Sequence, residues 1–257
     1  MWWVFMIRVG RISYLNTEPF FFKWQGGSSF KFTEGHPREL FLAAKEGLID
    51  CAPLPLVGCW TLEKDFEPLG SWGIAIHREA GSVVLFSKKG LRDLESCTIG
   101  VTEETSTSAV LLDVVLRAGY GVRTVLKRGF SQSDDAQLFI GDSALLHREN
   151  GLMGYPFAYD LGREWVQWQK CPFVFAQWVV RRSLAEEAKR SLSEALASSL
   201  RKGLESLDEI ASLWSSRLSL PPLSLRRYLD GFSYELGDAE REAMLVFKGM
   251  MEDAKVL

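Results

Sequence analysis

The chain has too few cysteines and histidines, in the wrong spacings, to announce a metal or redox centre. Its four cysteines, Cys51, Cys59, Cys97 and Cys171, contain no C-x-x-C pair, so zinc-ribbon and thiol–disulfide motifs are excluded and reduced, mostly buried thiols are expected. The three histidines, His36, His77 and His147, are equally dispersed; a His-based metal site or a Ser-His-Asp arrangement would have to be assembled by the fold. Charge of one sign is lacking too. Thirty basic residues face thirty-three acidic ones, for a net charge of -3. No Lys/Arg stripe interleaves with aromatics, so nucleic acid is not an expected partner. Long hydrophobic runs are also missing. The apolar start, Met1 to Ile7, is cut short by Arg8 and has no basic region before it, too short for a signal peptide or a membrane span. The expectation is a cytoplasmic protein that does not engage the membrane.

What is present is the composition of an ordinary soluble domain, 47% apolar and 25% charged over 257 residues, long enough for one large domain or two small lobes. Nine tryptophans (Trp2, Trp3, Trp24, Trp60, Trp72, Trp165, Trp168, Trp178, Trp214) form no repeat and read as core and cleft-wall residues. The most informative segment is Arg11-Ile12-Ser13-Tyr14-Leu15-Asn16-Thr17-Glu18-Pro19-Phe20. It follows an apolar run (Val4, Phe5, Met6, Ile7, Val9) expected to be a buried strand. Its polar residues sit where a strand gives way to a helix, the place where open α/β sheets bind small ligands. The plainer alternative is a helix N-cap at Asn16 or Thr17 with Pro19 in the first turn.

Strand-like and helix-like runs then alternate, as in a mainly parallel α/β sheet. Strands are predicted over 29–33, 49–53, 74–76, 82–87, 98–101, 122–126, 137–140 and 172–180, and helices over 36–44 and 109–118. From Ser183 onward the chain reads almost wholly helical, over 184–204, 207–218, 223–228 and 238–251. Two α/β lobes account for this order: residues 1–88 with 178–257, and residues 89–177, joined by two crossings that form a hinge, with the ligand in the cleft between lobes. A single larger sheet with a helical appendix is the alternative, and periodicity does not choose between them.

Taken in order, several segments resemble one family. Arg11-Ile12-Ser13-Tyr14-Leu15-Asn16-Thr17-x-Pro19-Phe20 resembles the opening signature of chorismate dehydratases, the first enzymes of the futalosine route to menaquinone. The likeness continues through Gly47 to Pro53, Gly81 to Ser87, Thr107-Ser108, Ile140 to Leu145, Tyr159-Asp160-Leu161-Gly162-x-Glu164-Trp165 and Pro172 to Trp178. A weaker echo lies around Tyr228, Tyr234 and Leu236. The resemblance implies an α/β fold of the two-lobe type II periplasmic-binding-protein kind, with a hinged interlobe cleft and a helical C-terminal segment. It implies loss of water from chorismate to give 3-[(1-carboxyvinyl)oxy]benzoate, with no metal and no organic cofactor.

The resemblance places Asn16 and Ser82 at the family's catalytic asparagine and serine, where they would hydrogen-bond the substrate and assist departure of its hydroxyl. Ser13 and Tyr14 join them as substrate-binding candidates. Thr105, Ser106, Thr107 and Ser108 stand at a predicted helix start, where free N–H groups and the dipole favour an anion; they read as a clamp for one substrate carboxylate, with plain N-capping as the alternative. Asp142 would order the hinge or orient a substrate hydroxyl. No matched motif holds a histidine or lysine suited to be the base, and the substrate's own enolpyruvyl carboxylate has been proposed for that step in the family.

One departure stands out. The family usually continues after Ala52-Pro53 with a Val-Ser-Ser type turn, whereas this chain has Leu54-Pro55-Leu56. Two hydroxyls are thereby lost, so either backbone groups suffice or the ligand differs. Competing functions are 1,4-dihydroxy-6-naphthoate synthase, whose expected acidic, proline-rich opening is not seen, and a non-catalytic small-anion-binding protein of the same fold. Exposed aromatics and the helical tail would permit a homodimer.

Overall fold

The computed structural model describes residues 6–24 and 26–253; Trp2, Trp3, Val4 and Phe5, read above as core and strand, lie outside them. In chain order the elements are β1 (Ile7–Ile12), a 3-10 turn (Leu15–Phe20), β2 (Phe30–Gly35), α1 (Pro37–Lys45), β3 (Cys51–Pro55), α2 (Leu56–Thr61), β4 (Phe66–Ile76), β5 (Val83–Ser87), β6 (Thr98–Val101) and α3 (Thr107–Val114), which runs on as a π-helical turn (Val115–Tyr120). Then follow β7 (Val125–Arg128), β8 (Ala136–Ile140), α4 (Gly141–Asn150), β9 (Phe157–Asp160), α5 (Leu161–Gln169), β10 (Phe173–Arg181), α6 (Glu186–Glu205), α7 (Leu207–Leu218), α8 (Pro222–Leu229), β11 (Phe232–Glu235) and α9 (Asp238–Asp253).

The strands form two sheets rather than one, in the orders β11-β4-β10-β3-β1-β2 and β7-β6-β8-β5-β9. The chain divides into two units, residues 1–74 with 176–230 and residues 75–175 with 231–257. The crossings therefore fall within β4, within β10 and just before β11, where the sequence reading placed two, near 88 and 177. Residues 75–88 and 231–257 belong to the second unit. For the last of these the reason is packing: α9 seats Phe247 edge-on against Trp165 and Phe173 at 5.5 and 4.9 Å, all three rings being buried.

Three local readings are corrected. Residues 66–76 form one long strand, of which only 74–76 was expected, because Pro68, Gly70 and Ser71 interrupt its alternation. The tail is not wholly helical: Phe-Ser-Tyr-Glu at 232–235 alternates with period two between Gly231 and Gly237 and forms β11, as such alternation should. The 3-10 turn is capped by neither Asn16 nor Thr17; Tyr14 holds the N-cap position and makes no side-chain cap bond.

In the first unit, β1 runs parallel to β2 and β3, and β10 antiparallel to β3. Ile12, Leu40, Ile49, Leu54, Phe66 and Val179 form one buried cluster there. Its α1 opens with a capping box between His36 and Glu39, which satisfies two otherwise free amides. In the second unit, β6 runs parallel to β7 and β8, while β5 lies antiparallel to both β8 and β9.

Candidate functional site

Strand direction decides which side chains can work together. In the first unit, β1 and β3 are parallel, so the Ser13–Asn16 turn and Leu54-Pro55-Leu56 emerge at the same carboxyl edge. Ser13 N–H donates to Gly35 O at 3.3 Å, which ties the turn to the end of β2. Tyr14 leans on the buried cluster behind the sheet. The Thr17 hydroxyl donates to Ile12 O at 2.6 Å and also lies 2.8 Å from Tyr14 O, folding the turn back on its own strand. Arg11 pairs with Glu18 at 2.8 Å and sits over the Phe21 ring, bracketing the turn from outside.

Asn16 is left different from its neighbours. Its side-chain oxygen is buried and has no hydrogen-bond partner among the described residues. Such an atom costs stability unless something else satisfies it. Leu54, Pro55 and Leu56 are all buried, so this departure from the resemblance lies inside the protein. The short α2 that begins there has Pro55 at its N-cap and no side-chain cap bond.

The second unit gathers the remaining candidates at one edge of its sheet. The carboxyl ends of β6, β8 and β9 and the amino end of β5 coincide there, with Val83 opposite Ile140 and Val84 opposite Asp160. That edge carries Ser82, Thr105 to Ser108, and Asp142. Ser82 is 2% exposed, and its carbonyl accepts the Gly141 N–H at 2.8 Å, which links it to the first turn of α4, where Asp142 stands half-buried.

The hydroxyl-rich turn does not serve as an N-cap. α3 starts at Thr107, and Ser106 in the cap position makes no side-chain cap bond. Thr105 is fully buried and its hydroxyl has no partner among the described residues. Arg128 Nη1, from the end of β7, donates to Glu103 O and Thr105 O at 3.3 and 3.4 Å and steadies the turn. Glu103 is exposed to solvent. The arrangement offers uncapped helix N–H groups beside an unsatisfied hydroxyl, which suits a carboxylate.

The sequence reading assigned no role to Asp160. Its carboxylate accepts three backbone N–H groups: Ala80 at 3.0 Å, Gly81 at 2.6 Å and Arg163 at 2.9 Å. The first two belong to the turn that leads into Ser82, and the third caps α5. The available signal was the match over Tyr159 to Trp165, with Asp in the position of a helix cap. Nearby, Glu79 pairs with Arg148 and Arg163; burial pushes its carboxyl up, but the two guanidinium groups outweigh this and hold it below its ordinary range.

The histidines lie elsewhere. His36 caps α1, His77 pairs with Glu240 at 2.7 Å, and His147 rests on the Phe139 ring. All four cysteines are free thiols, with Cys59 pushed up to about 12 by burial. Among the described residues no group of three His, Cys, Asp or Glu side chains is placed to hold a metal ion, and no helix is long and apolar enough to cross a membrane.

Comparison with known proteins adds findings of three kinds. A family model described as menaquinone biosynthesis matches residues 7–253. A chorismate dehydratase of Thermus thermophilus is 30% identical over 261 residues, covering 93% of each chain. Among solved structures, a protein of Archaeoglobus fulgidus superposes with a TM-score of 0.79 at 17% identity over 98% of each chain. The alkanesulfonate-binding protein of Xanthomonas axonopodis superposes at 0.68, with 16% identity over 98% of this chain and 93% of that one. A Candida albicans protein described as having the generic periplasmic binding protein fold superposes at 0.66, with 13% identity over 98% and 90%. These structural likenesses establish a periplasmic-binding-protein fold.

Proposed function

The chain belongs to the menaquinone biosynthesis family, and from that premise we propose that it is a chorismate dehydratase, a hydro-lyase converting chorismate to 3-[(1-carboxyvinyl)oxy]benzoate and water. The observation that carries the reading is the similarity, over nearly the whole chain, to a relative of that name. The four free thiols suit the reducing cytoplasm as its compartment.

The chemistry suits groups of the kind found at the two sheet edges. Chorismate carries a ring hydroxyl beside the carbon bearing its enolpyruvyl ether. Loss of that carbon's proton leaves an anion conjugated with the ring carboxylate, and expulsion of hydroxide then completes the benzene ring. One C–H and one C–O bond break, the proton and hydroxide leave as water, and no net oxidation occurs. Aromatisation supplies the driving force, so the protein has chiefly to orient the substrate and stabilise developing charge.

Asn16, whose amide oxygen has no partner among the described residues, and Ser82 hydrogen-bond the substrate and assist departure of the hydroxyl. Thr105 to Ser108 hold one carboxylate at the start of α3, and Ser13, Tyr14 and Asp142 complete the polar lining. The substrate's enolpyruvyl carboxylate takes the proton, and the chain's own residues fix its pose. Backbone groups replace the two hydroxyls that Leu54-Pro55-Leu56 does not supply.

Incubating the purified chain with chorismate tests this. Loss of the diene absorbance together with appearance of the aromatic ether is the expected result. Binding of chorismate without turnover would favour a solute-binding role, and neither binding nor turnover would overturn the reading altogether.

A further inference from the structure

Ser82 is set in place by a carboxylate that is not among the groups assigned to substrate. Asp160, 6% exposed, spends one oxygen on Ala80 N–H and Arg163 N–H and the other on Gly81 N–H, with Arg148 Nη1 3.9 Å from that second oxygen. Capping α5 needs only the first oxygen. The second is committed to the residue immediately before Ser82, where Gly81 takes φ +72°, a left-handed conformation open to glycine at little cost.

A second observation points the same way. A Cβ on Gly162, in the first turn of α5, would fall 2.9 Å from Ala80 N and 3.0 Å from Ala80 Cβ. A bare backbone at 162 is what lets α5 rest on the turn, and this close approach brings the Asp160 carboxylate within reach of both amides. On the other side, the Gly141 N–H holds the Ser82 carbonyl at 2.8 Å. The residue is thus fixed from before and behind, by the last residue of β9 and the first of α4.

We propose that Asp160 is a positioning residue: by holding the Ala80–Gly81 turn against α5, it orients the Ser82 hydroxyl toward the substrate. The inference rests on the chorismate dehydratase reading and deepens it, adding a residue that acts on the reaction through Ser82.

The discriminating variant is Asp160→Asn. Its one oxygen can still accept from Ala80 and Arg163, and asparagine is a good N-cap, so the cap survives. Its NH2 group then faces the Gly81 N–H, donor against donor. Turnover is measured for wild type, D160N, S82A and the double variant, with enzyme in excess so that slow single turnovers are resolved. The expected result is a kcat lowered about 10- to 100-fold in D160N, the scale of a misplaced group, with KM changed less than about threefold. In the S82A background the same change should cost less than about twofold, since an orienting group has nothing left to orient.

Wild-type kcat in D160N, or an equal loss with and without Ser82, overturns the inference while leaving the dehydratase reading intact. An inert wild type overturns the reading and the inference with it. If D160N melts too low to assay, Gly162→Ala decides: it displaces α5 from Ala80 without altering the carboxylate. It should lower kcat in the same Ser82-dependent way, and full activity in that variant refutes the positioning role.

Discussion

Asn16 and Thr17 are adjacent in sequence, both polar, and predicted to respond to substitution in opposite ways. The Thr17 hydroxyl serves Ile12 O and Tyr14 O, and the residue is buried. Thr17→Val keeps the shape but removes the one proton that the two carbonyls share, at about 0.5–1.5 kcal/mol. For a chain of this size, each kcal/mol lowers the melting temperature by roughly 2–4 °C, so a fall of about 1–6 °C is expected. Asn16→Ala removes a buried acceptor that no group among the described residues satisfies. An unsatisfied buried group costs about 1–3 kcal/mol, offset in part by the packing lost with the side chain, so the melting temperature should hold or rise. Turnover should fall about 10²- to 10³-fold, the scale for deleting one group that stabilises developing charge. Thermal melts and steady-state kinetics on the two variants side by side make the comparison. A marked fall in stability for Asn16→Ala with turnover unchanged would show that the asparagine belongs to the fold and not to the chemistry.

Other consequences follow from the same geometry. A Cβ at Gly203 of α6 would lie 2.1 Å from Pro19 O and 2.6 Å from Pro19 Cα; since backbone cannot rotate aside, Gly203→Ala should destabilise by about 1–3 kcal/mol and lower turnover by shifting the Asn16 turn, both read from one preparation. Burial pushes the Asp50 carboxyl up, but its bonds to the Arg8 side chain and backbone prevail and hold it below its ordinary range. A depressed folded pKa stabilises fully above the unfolded value, near 3.9, and that contribution is lost as pH falls through the folded one. The stability gap between wild type and Asp50→Asn, followed by urea unfolding, should therefore narrow on acidification; a constant gap would refute the pairing. Burial and then the hydrogen bond to Glu164 push Tyr120 up to about 12. The associated stability is present below the unfolded pKa of about 10 and lost as pH rises toward the folded one, and Tyr120→Phe should delete a step near pH 12 from an ultraviolet titration.

Much of the frame was legible where local chemistry is strong. His36-Pro37 before an amphipathic run marked α1, and the short β-branched run Thr98 to Val101 marked β6 to the residue. The region 141–169 resisted for physical reasons. α4 carries Arg, Glu and Asn without a clean apolar stripe, and β9 is a four-residue edge strand with Phe157 and Ala158 exposed, so neither period stands out. α2 is an apolar run of one and a half turns following Pro55, a length at which strand and helix read alike. The candidate residues were found by the family resemblance more than by pattern. What pattern could not reveal was which polar side chains fold spends on itself. Thr17 and Asp160 look as chemically able as Asn16 until their hydrogen bonds are counted.

That division of labour bears on the missing serines. In each unit the group assigned to substrate has a structural partner close by: Thr17 beside Asn16, and Asp160 across the strand pair from Ser82. The structural partner bonds to backbone, so the turn keeps its shape whatever the neighbouring side chain does. The same logic applies at Leu54-Pro55-Leu56, where all three side chains are buried and Leu54 joins the cluster that includes Ile12 and Leu40. A hydroxyl at either leucine would have to find a partner in that apolar setting or cost stability. Leu54 strengthens that cluster, and on the proposed roles recognition at that edge rests with Ser13, Tyr14, Asn16 and backbone groups. If Asn16 and Ser82 act as proposed, the departure changes how much of the substrate the first unit grips by side chains, which would register in KM, and leaves the barrier to loss of hydroxide to those two residues.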